Sequence, residues 1–179
     1  MGIVITTHSI EEQTLFQEGQ TFLIKEAEML DSGLYNEWLA LLTGDVFYKI
    51  PIRITRERHA PSQFSSRSWH MNEDLGSLKM RVARTYTDYN WAEDPPSRIR
   101  HFLTNFRLGE IIEKEDCIEV EIKSNMLLYR SKFDSPAHDL LSGERSDLLR
   151  KKGGEWKLAG RTILLDHTTM GINSLGFFL

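Results

Sequence analysis

The 179 residues carry 27% charged and 40% hydrophobic side chains at a formal net charge of −4. That balance excludes intrinsic disorder, and the short basic runs (Arg53, Arg56 and Arg58; Arg150-Lys151-Lys152) are too small and too closely flanked by acids for a nucleic-acid binder. A lone Cys117 excludes an internal disulfide and suits a reducing compartment. Acidic and basic residues from Glu11 to Glu26 interrupt any signal-peptide core, and no window approaches a membrane span, so one cytoplasmic domain over residues 1–179 is expected.

Ser9-Ile10-Glu11-Glu12 has the form of a capping box, in which Ser9 accepts from the amide of residue 12 and Glu12 reaches back. Behind it Leu15/Phe16, Phe22/Leu23 and Met29/Leu30 recur at seven-residue intervals, which predicts a helix over 9–30 ended by Asp31-Ser32-Gly33. A second helix over 34–42 turns Leu34, Tyr35, Trp38, Leu41 and Leu42 inward and stops at Thr43-Gly44. From Val46 to Thr55 the period falls to two. Val46, Tyr48, Ile50, Ile52 and Ile54 then share a face, and Pro51 marks an edge strand or a bulge.

Arg56 to Trp69 reads as a polar loop, longer than a simple connection needs. Asn72-Glu73-Asp74 opens a third helix over 72–87 with acids at its positive end, and Leu75, Leu78 and Val82 form its stripe together with Tyr86 or Tyr89. Pro95-Pro96 ends the helical part. Residues 98–112 alternate, with Phe102, Thr104, Phe106 and Leu108 on one side and His101, Leu103, Asn105 and Arg107 on the other. After a turn at 113–116, the strand over 117–131 carries Ile118, Val120, Ile122, Ser124, Met126 and Leu128 inward. Strands over 143–151 and 156–166 close a hairpin across Lys152-Gly153-Gly154-Glu155. The predicted inner face of the sheet therefore holds Phe102, Phe106, Val120, Ile122 and Met126.

Three helices and about five mostly antiparallel strands make an α+β domain with helices on one sheet face. Ile163, Leu164 and Leu165 are apolar on both faces of the last strand, which calls for cover on both sides. Phe177-Phe178-Leu179 call for cover too. With thirteen Arg against nine Lys, these features fit an extensive protein interface or packing within the chain. Arg145 with Asp147, and Arg161 with Asp166, are open between internal ion pairs and contacts to a neighbour. Trp38 and Trp156 are expected in the core.

Four blocks carry a family resemblance: W-A-E-D-P-P-S-R-I-R-H-F-L-T-N from Trp91 to Asn105, G-E-R-S-D-L-L-R from Gly143 to Arg150, G-R-T-I-L-L-D from Gly160 to Asp166, and an ending with Asn173, Leu175 and Phe177-Phe178-Leu179. In this order and spacing the chain resembles the small (beta) subunit of bacterial aromatic-ring-hydroxylating dioxygenases of the biphenyl, benzene and naphthalene type. The resemblance implies a cone-shaped curved sheet wrapped on N-terminal helices, like that of nuclear transport factor 2 and the cystatins. It implies a non-catalytic subunit beside a large (alpha) subunit that holds a Rieske 2Fe–2S cluster and a mononuclear Fe(II), three of each. The assembly would add both atoms of O2 to an aromatic ring with electrons from NADH.

The ligand arithmetic agrees with that division of labour. A Rieske centre takes two Cys and two His, and a mononuclear ferrous site takes two His and a carboxylate. This chain has one Cys, and its six His lie no closer than eleven positions apart, so no catalytic, cofactor or metal residue is assigned. The resemblance and the two apolar features together nominate Trp91, Pro95, Pro96, Arg98, Arg100, Arg161, Ile163, Leu165, Phe177 and Phe178 as interface residues, with Arg98 and Arg100 suited to a neighbour's carboxylates. Local architecture explains the Trp91–Arg100 segment as well. The alternative is a stand-alone cone-fold isomerase or dehydratase, for which Asp45, His101, Asp166 and His167 are the acid–base candidates, or a small-molecule binding domain.

Overall fold

A computed structural model describes residues 8–57, 59–87, 96–132, 134–169 and 176–179; Arg58, Tyr89, Trp91, Pro95, Asn173 and Leu175 lie outside them. In chain order the elements are α1 (Ile10–Asp31), α2 (Tyr35–Ala40), β1 (Leu42–Arg53), β2 (Phe64–Asp74), α3 (Leu75–Thr85), β3 (Arg98–Glu113), β4 (Ile118–Ser131), β5 (His138–Lys152) and β6 (Glu155–Leu165). The strands form one sheet in the order β2-β1-β6-β5-β4-β3. Every pairing is antiparallel except β1 with β6, which the intervening helix α3 and the rest of the sheet make parallel.

The helices begin where their caps put them. Ser9 accepts from the Glu12 amide at 3.1 Å, and the Glu12 carboxylate accepts from the Ser9 amide at 2.7 Å, so two orphan donors are satisfied at the start of α1. Asp74 caps α3, its carboxylate accepting from the Ser77 amide at 2.8 Å. The third helix thus starts at Leu75, because Asn72-Glu73-Asp74 belong to the end of a strand. That strand, β2, is the main addition to the expected architecture. The last six residues of the presumed polar loop 56–69 are extended, and the strand they open pairs with β1 from Phe47↔Asp74 to Arg53↔Phe64. It makes six strands, not five, and it turns β1 from an edge into an interior strand. Pro51 sits at a bulge, with register shifts on both sides of it.

Bulges also explain why the sheet curves. Four of the five ladders contain register shifts, and only β4–β5 runs unbroken, from Ile118↔Lys151 to Ser131↔His138. Each extra residue bends its strand and raises the local twist, which wraps the sheet around the helices. One of these bulges corrects the phase of β3. Asn105 adopts φ 51° and the ladder to β4 shifts between Thr104 and Arg107. Before it the inward positions are His101 and Leu103, and after it Phe106 and Leu108. Phe102 is therefore on the outer face and 51% exposed, contrary to the strict alternation.

All three helices contribute to one core with the concave face: Leu23 and Leu30 of α1, Trp38 of α2, Leu78 and Val82 of α3, and Tyr48, Val120, Ile122, Met126, Leu149 and Ile163 of the sheet. Gly19 sets the closest approach of α1. A Cβ there would lie 2.5 Å from Ile122 Cδ1 and 3.1 Å from Leu149 Cδ1. The β5–β6 hairpin turns through Gly153 and Gly154, both at positive φ, as a tight two-residue turn demands. Tyr86 is exposed rather than part of the α3 stripe, and Trp156 is half-buried, its indole N–H donating to Glu18 at 3.0 Å. No helix among the described residues is long and apolar enough to cross a membrane.

Candidate functional site

The interior of the cone holds a compact ionic cluster of four side chains from three elements. Strand alternation turns Arg145 and Asp147 of β5 and Arg161 of β6 onto the concave face, and α1 brings Glu26 down onto them. All four are essentially inaccessible to solvent. Arg161 donates through Nε to Asp147 Oδ1 and through Nη2 to Glu26 Oε2, both at 2.5 Å. Arg145 donates to Asp147 Oδ2 through Nη2 at 2.9 Å and Nε at 3.1 Å, and its Nη2 lies 3.5 Å from Glu26. The Trp38 indole N–H completes the Glu26 carboxylate at 2.8 Å.

Two carboxylates and two guanidiniums leave the cluster neutral. Burial alone would push the Glu26 carboxyl up, but the Arg161 and Arg145 charges outweigh it and hold the group below its ordinary value. Burial lowers and the Asp147 and Glu26 carboxylates raise Arg161, with a net rise. Tyr48, packed at 5.6 Å under the Arg161 guanidinium, is pushed up mainly by burial. Its hydroxyl donates to the Leu179 main-chain oxygen and accepts from the Leu179 amide at 2.9 Å, and Arg161 Nη1 donates to the same oxygen at 3.1 Å.

The segment Phe177–Leu179 consequently fills the cone. Phe178 packs on Trp38 with ring centroids 4.4 Å apart and on Tyr35 at 5.5 Å, and Phe177 lies 5.1 Å from the Arg130 guanidinium. His101 pins the segment from the side: Nδ1 meets Asp31 Oδ1 at 2.7 Å and Nε2 meets the Phe178 carbonyl oxygen at 3.2 Å. Both carboxylates of the ionic cluster are occupied by guanidiniums, and large side chains take the space a substrate would need. A proton-transfer site requires a base within reach of a bound substrate; among the described residues, Glu26 and Asp147 are committed to the guanidiniums and His101 to Asp31 and Phe178.

The four acid–base candidates do not come together. Asp45 lies at the start of β1 on the outside of the sheet, bound by both Arg150 terminal nitrogens at 2.8 and 2.9 Å, and that contact, with Thr43, lowers its pKa to about 2. His101 is buried against Asp31. Asp166 is exposed, 3.6 Å from Arg53, and His167 follows it without joining any of the others. Among the described residues no three His, Cys, Asp or Glu side chains converge in a way that could hold a metal.

Of the nominated interface residues, Arg161, Ile163, Leu165, Phe177 and Phe178 are at most 2% exposed. The chain's own helices and cone interior cover them; Leu164, on the other face of β6, is half-buried. Arg145 and Asp147 likewise form an internal pair. Pro96, Arg98 and Arg100 are exposed, with the Arg100 side chain 66% accessible and 3.4 Å from Asp31. Glu26 was missed as a site residue, yet it carries a signal: it falls three residues after Leu23 and four before Leu30, a charge on the buried face of an amphipathic helix.

Residues 25–171 match the protein family described as ring hydroxylating beta subunit. The benzene 1,2-dioxygenase subunit beta of Pseudomonas putida is 37% identical over 169 residues, covering 92% of this chain and 88% of that one. The chain belongs to the ring-hydroxylating beta subunits. A structure of naphthalene 1,2-dioxygenase with indole in its active site superposes with a TM-score of 0.80 at 26% identity, over 98% of this beta subunit and 89% of that chain. A scytalone dehydratase-like protein of Novosphingobium aromaticivorans shares the cone fold, with a TM-score of 0.63 at 15% identity over 93% of this chain and 94% of that one.

Proposed function

We propose that this chain is the non-catalytic small subunit of a Rieske non-haem-iron dioxygenase acting on aromatic hydrocarbons. Three copies assemble with three large subunits, which carry the 2Fe–2S cluster and the mononuclear Fe(II). The holoenzyme takes electrons derived from NADH and adds both atoms of O2 to the ring as a cis-dihydrodiol. The observation that carries this reading is the closed cone: the cavity in which a free-standing enzyme of this fold would hold substrate is packed with Trp38, Phe177, Phe178 and Leu179 over a charge-neutral ion cluster. The subunit's contribution is shape and surface, with Pro96, Arg98 and Arg100 exposed at the start of β3.

Co-expression with the iron-bearing large subunit tests the proposal, with complex mass, iron content and arene oxidation measured on the same preparations. The expected result is a three-plus-three complex whose iron and turnover are lost when the large subunit is omitted. Turnover of an arene by this chain alone, or a chain that remains separate from an excess of large subunit, would overturn it.

A further inference from the structure

We propose that the cone is a binding site for arylalkanoyl amino acids, which Phe177–Leu179 occupy as a tethered ligand. The segment is held as a ligand is held. It belongs to no helix or strand, and among the described residues no main-chain-to-main-chain hydrogen bond fixes Gly176–Leu179. Side chains of the cone grip its main chain instead, and Phe177, Phe178 and Leu179 are at most 2% exposed.

Three subsites follow one another along the segment. The Phe178 ring packs, tilted, on Trp38 at 4.4 Å and on Tyr35 at 5.5 Å, a slot shaped for one aromatic ring. The Phe178 carbonyl oxygen then meets His101 Nε2 at 3.2 Å. Beyond it the Leu179 amide donates to the Tyr48 hydroxyl at 2.9 Å, and the Leu179 main-chain oxygen accepts from Tyr48 and, at 3.1 Å, from Arg161 Nη1. In covalent order these are a ring, a two-carbon spacer, an amide and an oxygen on a guanidinium, the skeleton of a 3-phenylpropanoyl amino acid. Arg161 favours a carboxylate at the last position, because a guanidinium bonds a charged oxygen more strongly than a neutral one. Arg145 of the same ion cluster adds a buried Nη1 with no hydrogen-bond partner among the described residues.

The segment and such a ligand use the same contacts, so each excludes the other. The ligand's apparent affinity for the full chain is therefore reduced by the fraction of chains in which the segment has left its seat. Gly176 and Phe177 border a pocket of about 370 Å³ that the exposed Tyr86 also lines, which gives the withdrawing segment room. The site goes beyond the assembly reading and does not depend on it, since every group named lies within this one chain.

The test is calorimetric titration of this chain, purified without the large subunit, with N-(3-phenylpropanoyl)leucine. A chain ended at Gly176 should bind it at least about a hundredfold more tightly than the full chain, the factor set by a rarely vacated seat. In the shortened chain Tyr48→Phe should weaken binding roughly tenfold, and 3-phenylpropionate, which lacks the amide, should bind weaker than the acyl leucine by a similar factor. A second variant, full-length Phe178→Ala, empties the ring slot alone and should take up benzene saturably, as an apolar cavity does, where the parent chain does not. A folded shortened chain that binds no acyl leucine, equal affinity in the full and shortened chains, an unchanged affinity in Tyr48→Phe, or a folded Phe178→Ala chain that takes up no benzene would each overturn the proposal. Failure of both altered chains to fold would overturn it as well, because the segment would then be core and not ligand. None of these outcomes touches assembly with the large subunit, which the co-expression experiment decides separately.

Discussion

Replacing Glu26 with Gln isolates the buried ion cluster from its packing. The substitution keeps the side-chain shape and leaves an oxygen for the Trp38 indole, which now sits 2.8 Å from the carboxylate. It removes the charge that faces Arg161 at 2.5 Å and Arg145 at 3.5 Å. Asp147 is then the one side-chain carboxylate of the cluster facing two guanidiniums where solvent does not reach. Breaking a buried pair from one side costs about 3–5 kcal/mol. At about 2–4 °C per kcal/mol for a chain of this size, the melting temperature should fall by roughly 6–20 °C. Urea titration of the purified chain, followed by tryptophan fluorescence, measures the loss directly. Glu26→Gln with Arg161→Gln restores neutrality around the remaining Arg145–Asp147 pair, so the double variant should lose less than the two single losses combined. A Glu26→Gln variant within about 1 kcal/mol of the parent, or strict additivity in the double, would refute the reasoning.

The same cluster sets the pH limits of stability. The Glu26 carboxyl titrates lower in the folded chain than its ordinary 4.5, so its contribution is complete above that value and declines as pH falls toward the folded-state pKa; acid unfolding should be steeper for the parent than for Glu26→Gln. Tyr48 titrates above its ordinary 10.0, so its contribution is complete below pH 10 and is lost as pH rises through the folded value, an alkaline limb that Tyr48→Phe should remove in denaturation curves taken across that range. Gly19→Val should destabilise by about 1–3 kcal/mol through overpacking, since even a Cβ meets Ile122 at 2.5 Å; an unchanged urea midpoint would show that α1 can lift away without loss.

The sequence by itself determined whatever rests on local chemistry. The capping box at Ser9, the seven-residue apolar spacing of α1, the alternation of β4 and the Gly153-Gly154 turn all correspond to elements of the structure, because each depends on neighbours within a few positions. Tertiary structure alone decided the rest. The stretch from Phe64 to Trp69 has no strand-like alternation, and it is extended because the open edge of β1 offers it hydrogen-bond partners. A single bulge at Asn105 reversed the faces of β3 and sent Phe102 outward, since a period of two cannot survive one inserted residue. The cluster of Glu26, Arg145, Asp147 and Arg161 spans 135 positions from Glu26 to Arg161. In the sequence nothing joins Glu26 to the three charges of the hairpin. Only the closing of the sheet over α1 takes them from water together, and a charge that loses its water must find its opposite.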